Sequence, residues 1–99
     1  MQDEQRQYKR LKTRLETIYF TETKTDVGYE RLYYPGLIMD KSLGGLGIRV
    51  YYEHDINDRI WIEGLGISSD PQQAFVRWCK TITENSGEFL IGVEFHAAN

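Results

Sequence analysis

Two short stretches carry residue types whose spacing could do chemistry. The first is Arg6-Gln7-Tyr8-Lys9-Arg10, an R-x-x-x-R spacing. In a helical turn, positions i and i+4 project from one face, one turn apart. Two guanidiniums so placed repel each other unless an anion lies between them. Arginine suits that task, because its planar fork binds phosphate oxygens bidentately and its flat face stacks on an aromatic base. The second stretch is Asp40-Lys41-Ser42-Leu43-Gly44-Gly45, which closes a strand and opens a turn. An ionised Asp accepts hydrogen bonds from paired donors, such as guanine N1–H and its exocyclic amine. Ser42 adds a short donor or acceptor, while Gly44 and Gly45 permit positive φ and a close backbone approach. As plain local structure, the first stretch is a solvated polar tail and the second a good β-turn. Together they supply cations for phosphate, a carboxylate for a base edge and glycines for access.

Signs of other chemistry are sparse. His54 and His96 sit in neither a metal-ligand spacing nor a nucleophile elbow. A trio of His54, Asp55 and His96 as metal ligands competes with two solvated strand-end histidines, and the second reading is preferred. Cys79 is the single cysteine, which excludes an internal disulfide and a cysteine-only zinc site and fits a reducing compartment. Placed in an alternating run, it reads as a small packed residue rather than a nucleophile. Lys41-Ser42 lacks the glycines of a nucleoside-triphosphate loop. No acid–base constellation is legible, so the chain reads as a binding protein and not an enzyme.

Composition agrees. At 99 residues, 40% hydrophobic and 27% charged, the chain makes one small domain. A domain of this size buries about 60–70% of its unfolded surface, which leaves no room for a catalytic domain with a deep cavity. No apolar run approaches the roughly 20 residues that span a membrane, and the polar start is no signal peptide. The net charge of -3 is unevenly spread. Residues 1–16 carry five basic against three acidic side chains, whereas the remainder carries seven basic against twelve acidic. An acidic body with a short basic arm is a poor general binder of DNA or RNA, because duplex affinity grows with the phosphates neutralised.

The elements that must position these residues are strands. Ile18 to Thr23 reads as a short strand, Lys24–Gly28 as a turn, and Arg31–Met39 as an aromatic, apolar strand. Pro35 should lie at an edge, a bulge or a strand start. Leu46, Ile48, Val50 and Tyr52 alternate on one face of the next strand, and His54–Asp58 forms a turn cluster. Ile60–Ile67 follows as a strand, in which Gly64 and Gly66 suggest a bulge or a close backbone approach. Ser68–Pro71 turns the chain. Gln72–Thr83 fits a helix or a strand; its β-branched and aromatic content and the Glu84–Gly87 turn favour a hairpin. In that hairpin Ala74, Val76 and Trp78 share one face, Phe75, Arg77 and Cys79 the other, and Phe89, Ile91, Val93 and Phe95 alternate in the closing strand. Six short strands are best closed into a small barrel or roll, which removes sticky edges.

The order R-x-x-x-R, then D-x-S-x-x-G about thirty residues on, resembles the PilZ domain, a family that binds the bacterial second messenger cyclic di-GMP. Glu4–Leu11 is similar to that family's arginine-bearing entry segment, and Ile38–Ile48 to its strand-turn-strand motif. Ala74–Trp78 with Ile91–Phe95 is similar to its closing hairpin, so the resemblance runs from residue 4 to 96. It implies an all-β, six-stranded antiparallel barrel of split-barrel type over residues 15–99, behind a flexible basic arm at residues 1–14. It also implies cyclic di-GMP as ligand, with Arg6 and Arg10 on phosphate and guanine, Asp40 and Ser42 on a guanine edge, and Gly45 keeping the turn tight. The function expected from it is a cytoplasmic bacterial receptor with no cofactor, no nucleic-acid partner and no membrane insertion. On binding nucleotide its arm would reorder and signal to a downstream protein or attached domain. A PilZ-like interaction module that binds no nucleotide is the alternative. Many members carry an arginine where this chain has Gln5, which leaves one bound ligand or a stacked pair open. Many also continue into a carboxy-terminal helix, so the expectation is either that this helix is absent or that the chain is one domain of a longer protein.

Overall fold

The computed structural model describes residues 11–65 and 70–95. Six strands run in chain order: β1 (Leu11–Thr25), β2 (Gly28–Lys41), β3 (Gly45–Val50), β4 (Arg59–Ile62), β5 (Gln72–Thr81) and β6 (Phe89–Phe95). They close a barrel in the order β1-β2-β3-β6-β5-β4, each strand antiparallel to its neighbours. The six-stranded antiparallel barrel expected from the sequence is therefore the fold.

Period-2 alternation builds its core. Leu46, Ile48 and Val50 of β3 face Ile91 and Val93 of β6, with Ile38, Ile60, Ile62, Ala74 and Val76 completing the packed interior. Tyr19 and Phe20 are adjacent yet both buried. Tyr19 points into the core cluster, whereas Phe20 points outward and is covered by Trp61, stacked at 5.3 Å, by Tyr33 at 5.2 Å and by the Arg31 guanidinium at 4.5 Å. The Tyr19 hydroxyl hydrogen-bonds His54 Nε2 at 2.7 Å, so this buried pair satisfies its polar atoms inside the barrel. His54 is thus a buried residue and not the solvated strand-end histidine expected of it. Burial pushes its pKa below the ordinary value, against the pull of Asp58 and Asp55, and the same burial pushes the Tyr19 hydroxyl up.

Several element boundaries differ from expectation, each for a physical reason. β1 begins at Leu11, so residues 11–14, assigned to the arm from sequence, are strand. Lys12, Thr13 and Arg14 are polar and give no alternation to read, but the backbone here pairs with β2, Leu11 opposite Lys41 and Lys12 opposite Asp40. β1 and β2 also outrun the barrel. β4 pairs with β1 only at Tyr19 and Phe20, and β3 reaches β2 only from Leu37 onward, so the hairpin tip is a projecting two-stranded ribbon. Pro35 lies opposite Ile18 where β2 has β1 as its sole neighbour, an edge position that needs no second ladder bond. β3 stops at Val50, which leaves Tyr52 exposed rather than on the core face. β4 stops at Ile62; Gly64 follows with φ of 75° in open space, a turn residue rather than a strand bulge, and Gly66 lies outside the described residues.

The bulge is instead in β5. Its register with β6 shifts between Val76, opposite Val93, and Trp78, opposite Gly92. One extra residue reverses the alternation beyond it. Ala74 and Val76 point inward as expected, but Cys79, opposite Ile91, now packs against the core, and Trp78 lies on the outer face.

Candidate functional site

The D-x-S-x-x-G stretch forms the β2–β3 connection. Ser42 closes the turn twice on one acceptor: its backbone N–H donates to the Gly45 carbonyl oxygen at 3.0 Å and its hydroxyl at 3.4 Å. Phe95 N–H donates to the Gly44 carbonyl at 2.9 Å, which ties the turn to the end of β6. Gly45 is buried opposite Glu94, and a Cβ there would fall onto the Val93 carbonyl oxygen, 3.1 Å from its carbon and 3.2 Å from Glu94 Cα. Its need for glycine is therefore the close strand approach, and the positive φ allowed for it from sequence is not used.

Asp40 stands on the outer surface. It pairs with Lys12 on one side and Gly47 on the other, and residues directly opposite in antiparallel strands share a face. A Cβ on Gly47 would meet the Asp40 carboxylate oxygens at 2.9 and 3.1 Å, so the carboxylate lies across a position without a side chain. Gly47 in turn pairs with Gly92, over which the Trp78 indole lies; a Cβ on Gly92 would clash with the ring, reaching 2.6 Å from its Cζ2. The Lys80 ammonium sits 5.0 Å from the Trp78 ring centroid. Read across β1, β2, β3, β6 and β5, one outer face presents Lys12, the Asp40 carboxylate, two glycines in register, and an indole with a lysine above it. The three strand steps from Asp40 to Trp78 span about 14 Å.

That face can hold an extended anion with flat, hydrogen-bonding ends: two cations flank it, a carboxylate accepts, and the glycine floor admits close approach. The structure thus brings Asp40, Ser42 and Gly45 to one end of the barrel. Arg6 and Arg10 lie outside the described residues, but Arg10 is two residues before Lys12, the cross-strand partner of Asp40. Sequence reasoning missed Lys12, Gly47, Gly92 and Trp78 as site components, because only strand register joins them. Of the metal trio considered from sequence, His54 is buried on Tyr19, Asp55 is exposed, and His96 lies outside the described residues. Among the described residues no group of three or more His, Cys, Asp or Glu could hold a metal ion.

Comparison with protein-family models and with curated proteins returns no match. Among solved structures, the chain matches "PilZ domain with c-di-GMP of YcgR from Escherichia coli" with a TM-score of 0.57 and 17% identity, over 91% of this chain and 76% of that one. The fold is that of a PilZ domain. Identity this low speaks for architecture alone, and that architecture is the one the motif resemblance implied. In this barrel, the R-x-x-x-R stretch immediately precedes in sequence the strand that carries Lys12, beside the D-x-S-x-x-G turn.

Proposed function

We propose that this chain is a cyclic di-GMP receptor that performs no chemical step. Its basic arm closes over the Asp40 face when the nucleotide binds, and the altered surface signals to a downstream protein or attached domain in the bacterial cytoplasm. The observation that carries this reading is the Asp40 carboxylate laid over Gly47, on the face and at the barrel end where the arm enters. An extended chain spans at most about 3.6 Å per residue, so Arg10 Cα lies within about 7 Å of Lys12 Cα. Arg6 is four residues further out. Both guanidiniums are therefore within reach of an anion on the Asp40 face.

The energetics are adequate. Each charge-assisted hydrogen bond contributes about 1.5–3 kcal/mol, and each arginine–base stack about 0.5–2 kcal/mol. Micromolar affinity needs about 8 kcal/mol. Two arginines, the Asp40 contact and one or two stacks reach that, after several kcal/mol spent on ordering the arm.

Calorimetric titration with cyclic di-GMP tests the reading. Arg10→Ala should weaken binding at least about tenfold, roughly 1.4 kcal/mol, with the circular dichroism spectrum unchanged. Asp40→Ala should lose preference for cyclic di-GMP over cyclic di-AMP. Equal affinity in the arginine variant would remove the site assignment, and no heat from the wild-type chain would leave the PilZ-like interaction module.

A further inference from the structure

The opposite end of the barrel holds a second site of different character. Where the β1–β2 ribbon leaves the barrel, a cavity of about 650 Å³ opens between the ribbon, the loop after β3 and the β4–β5 edge. That volume is in the range of small-ligand sites. It lies at Thr21–Thr23 of β1, nine or more residues from Lys12, hence about 30 Å from Lys12 along that strand.

Its walls are aromatic rings and carboxylates. Tyr34 is the hub: it stacks on Tyr19 at 5.1 Å, meets Tyr52 edge-to-face at 5.0 Å and 73°, and meets His54 at 5.5 Å and 81°. Rings set nearly perpendicular at this spacing form the corner of a box, and Tyr52 is still 55% exposed. Trp61 forms a further wall, braced from behind by Phe20. Ring faces carry negative potential and attract cations.

The charges point the same way. Glu22, Glu53 and Asp58 line the cavity against a single cation, Arg59, whose guanidinium lies 5.5 Å from the Phe75 ring centroid. Glu22 is shared with Arg31, and Asp58 accepts the Asp55 N–H at 2.9 Å. Glu53 is exposed and makes no hydrogen bond or ion pair among the described residues. It directly follows the half-exposed Tyr52, and both residues line the cavity. His54, held uncharged by burial, does not cancel this field at neutral pH. An anion meets repulsion here, and a neutral apolar group leaves the carboxylates unanswered.

We propose that this cavity binds an organic cation, an alkylammonium or guanidinium group, seated in the corner that the Tyr34 and Tyr52 rings form and neutralised by Glu53 and Asp58. The group is either a free small amine or a lysine or arginine side chain presented by a partner protein. The site is independent of the nucleotide face, so it needs no cyclic di-GMP and its failure leaves that reading untouched.

The test is a titration of the ¹⁵N-labelled full chain without nucleotide, followed at the two indole N–H signals. Trp61 lines the cavity, and Trp78, which does not line it and lies over Gly92, serves as control. The probes are choline chloride, its neutral isostere 3,3-dimethyl-1-butanol, sodium chloride at matched ionic strength, and a short peptide with one central arginine flanked by glycines. Choline or the arginine peptide should shift Trp61 saturably while Trp78 stays still, and the neutral isostere should bind at least about tenfold more weakly. Tyr52→Ala and Glu53→Gln, both at exposed positions, should each weaken the cation about fivefold or more. Tighter binding of choline identifies a free amine as the source, and tighter binding of the peptide identifies a partner's side chain; either upholds the site. Equal binding of the isostere, the same shift with sodium chloride, or unchanged affinity in Tyr52→Ala overturns it.

Discussion

Replacing Gly45 by alanine should damage the fold before any ligand is added. The new Cβ would fall on the Val93 carbonyl oxygen and stand 3.1 Å from its carbon and 3.2 Å from Glu94 Cα. All three atoms are backbone, so no side chain can swing away. Carbon and carbonyl oxygen settle at about 3.3–3.6 Å, so β3 and β6 must part by more than about 1 Å at this end. The parting strains the hydrogen bond from Phe95 N–H to Gly44 O at 2.9 Å and the pairing of Gly45 with Glu94. Two weakened hydrogen bonds at about 1 kcal/mol each, with about 1–3 kcal/mol of overpacking, give a loss of about 3–5 kcal/mol. Domains of this size hold about 5–15 kcal/mol, and each kcal/mol moves Tm by about 4–8 °C, so Tm should drop by about 12–40 °C. Gly87→Ala is the internal control: with φ of 75° and nothing within 4 Å, it meets backbone strain alone, worth about 1–2 kcal/mol. Urea titrations of the three proteins, followed by tryptophan emission, give the comparison. If Gly45→Ala is no less stable than Gly87→Ala, the close approach is not what demands glycine at this motif position, and a direct ligand contact becomes its explanation.

Two further predictions concern the buried Tyr19–His54 pair. Tyr19→Phe keeps the ring stack but removes the hydroxyl 2.7 Å from His54 Nε2. Leaving that buried nitrogen unpaired should cost about 1–3 kcal/mol in urea titrations, and a change under about 0.5 kcal/mol would show that the bond contributes nothing net. The second is a pH dependence. Burial lowers the His54 pKa below its ordinary 6.5. The unfolded chain therefore binds the proton more readily than the folded one, so the stability contributed by neutral His54 is present above pH 6.5 and lost as pH falls below it. Urea midpoints should fall from pH 7.5 to pH 5.5 in the wild type and less steeply in His54→Gln, and parallel slopes would exclude His54 as the group responsible.

Much of the barrel is legible from local alternation. Leu46, Ile48 and Val50, and Ile91 with Val93, read as core faces from sequence and are core faces in the fold. The hairpin at 72–95 follows from β-branched and aromatic content around a turn. Where alternation fails, its failure has a local cause invisible to a periodicity argument. The extra residue in β5 sends Trp78 out and Cys79 in, contrary to the face assigned to each. Nothing in the run QQAFVRWCKT marks that slip, because it is fixed by pairing with β6. Likewise Tyr19 and Phe20 defeat a two-face reading, since the ribbon and Trp61 build a second apolar layer outside the barrel for Phe20 to enter.

The site divides the same way. The grouping of the candidate residues Asp40, Ser42 and Gly45 is legible because one turn holds them, whereas Gly47, Gly92 and Trp78 are joined only by register between strands far apart in sequence. The two glycines are not equivalent. A glycine inside a strand costs about 0.5–1 kcal/mol relative to alanine, so each needs a compensating reason. For Gly92 packing suffices, since the Trp78 indole occupies the space a side chain would take. At Gly47 the occupant is the Asp40 carboxylate, which buries little apolar surface and lies on a half-exposed outer face. What the vacancy does is fix where Asp40 lies and keep the floor beside it low, and both are what the proposed reading of a flat ligand's edge by Asp40 requires.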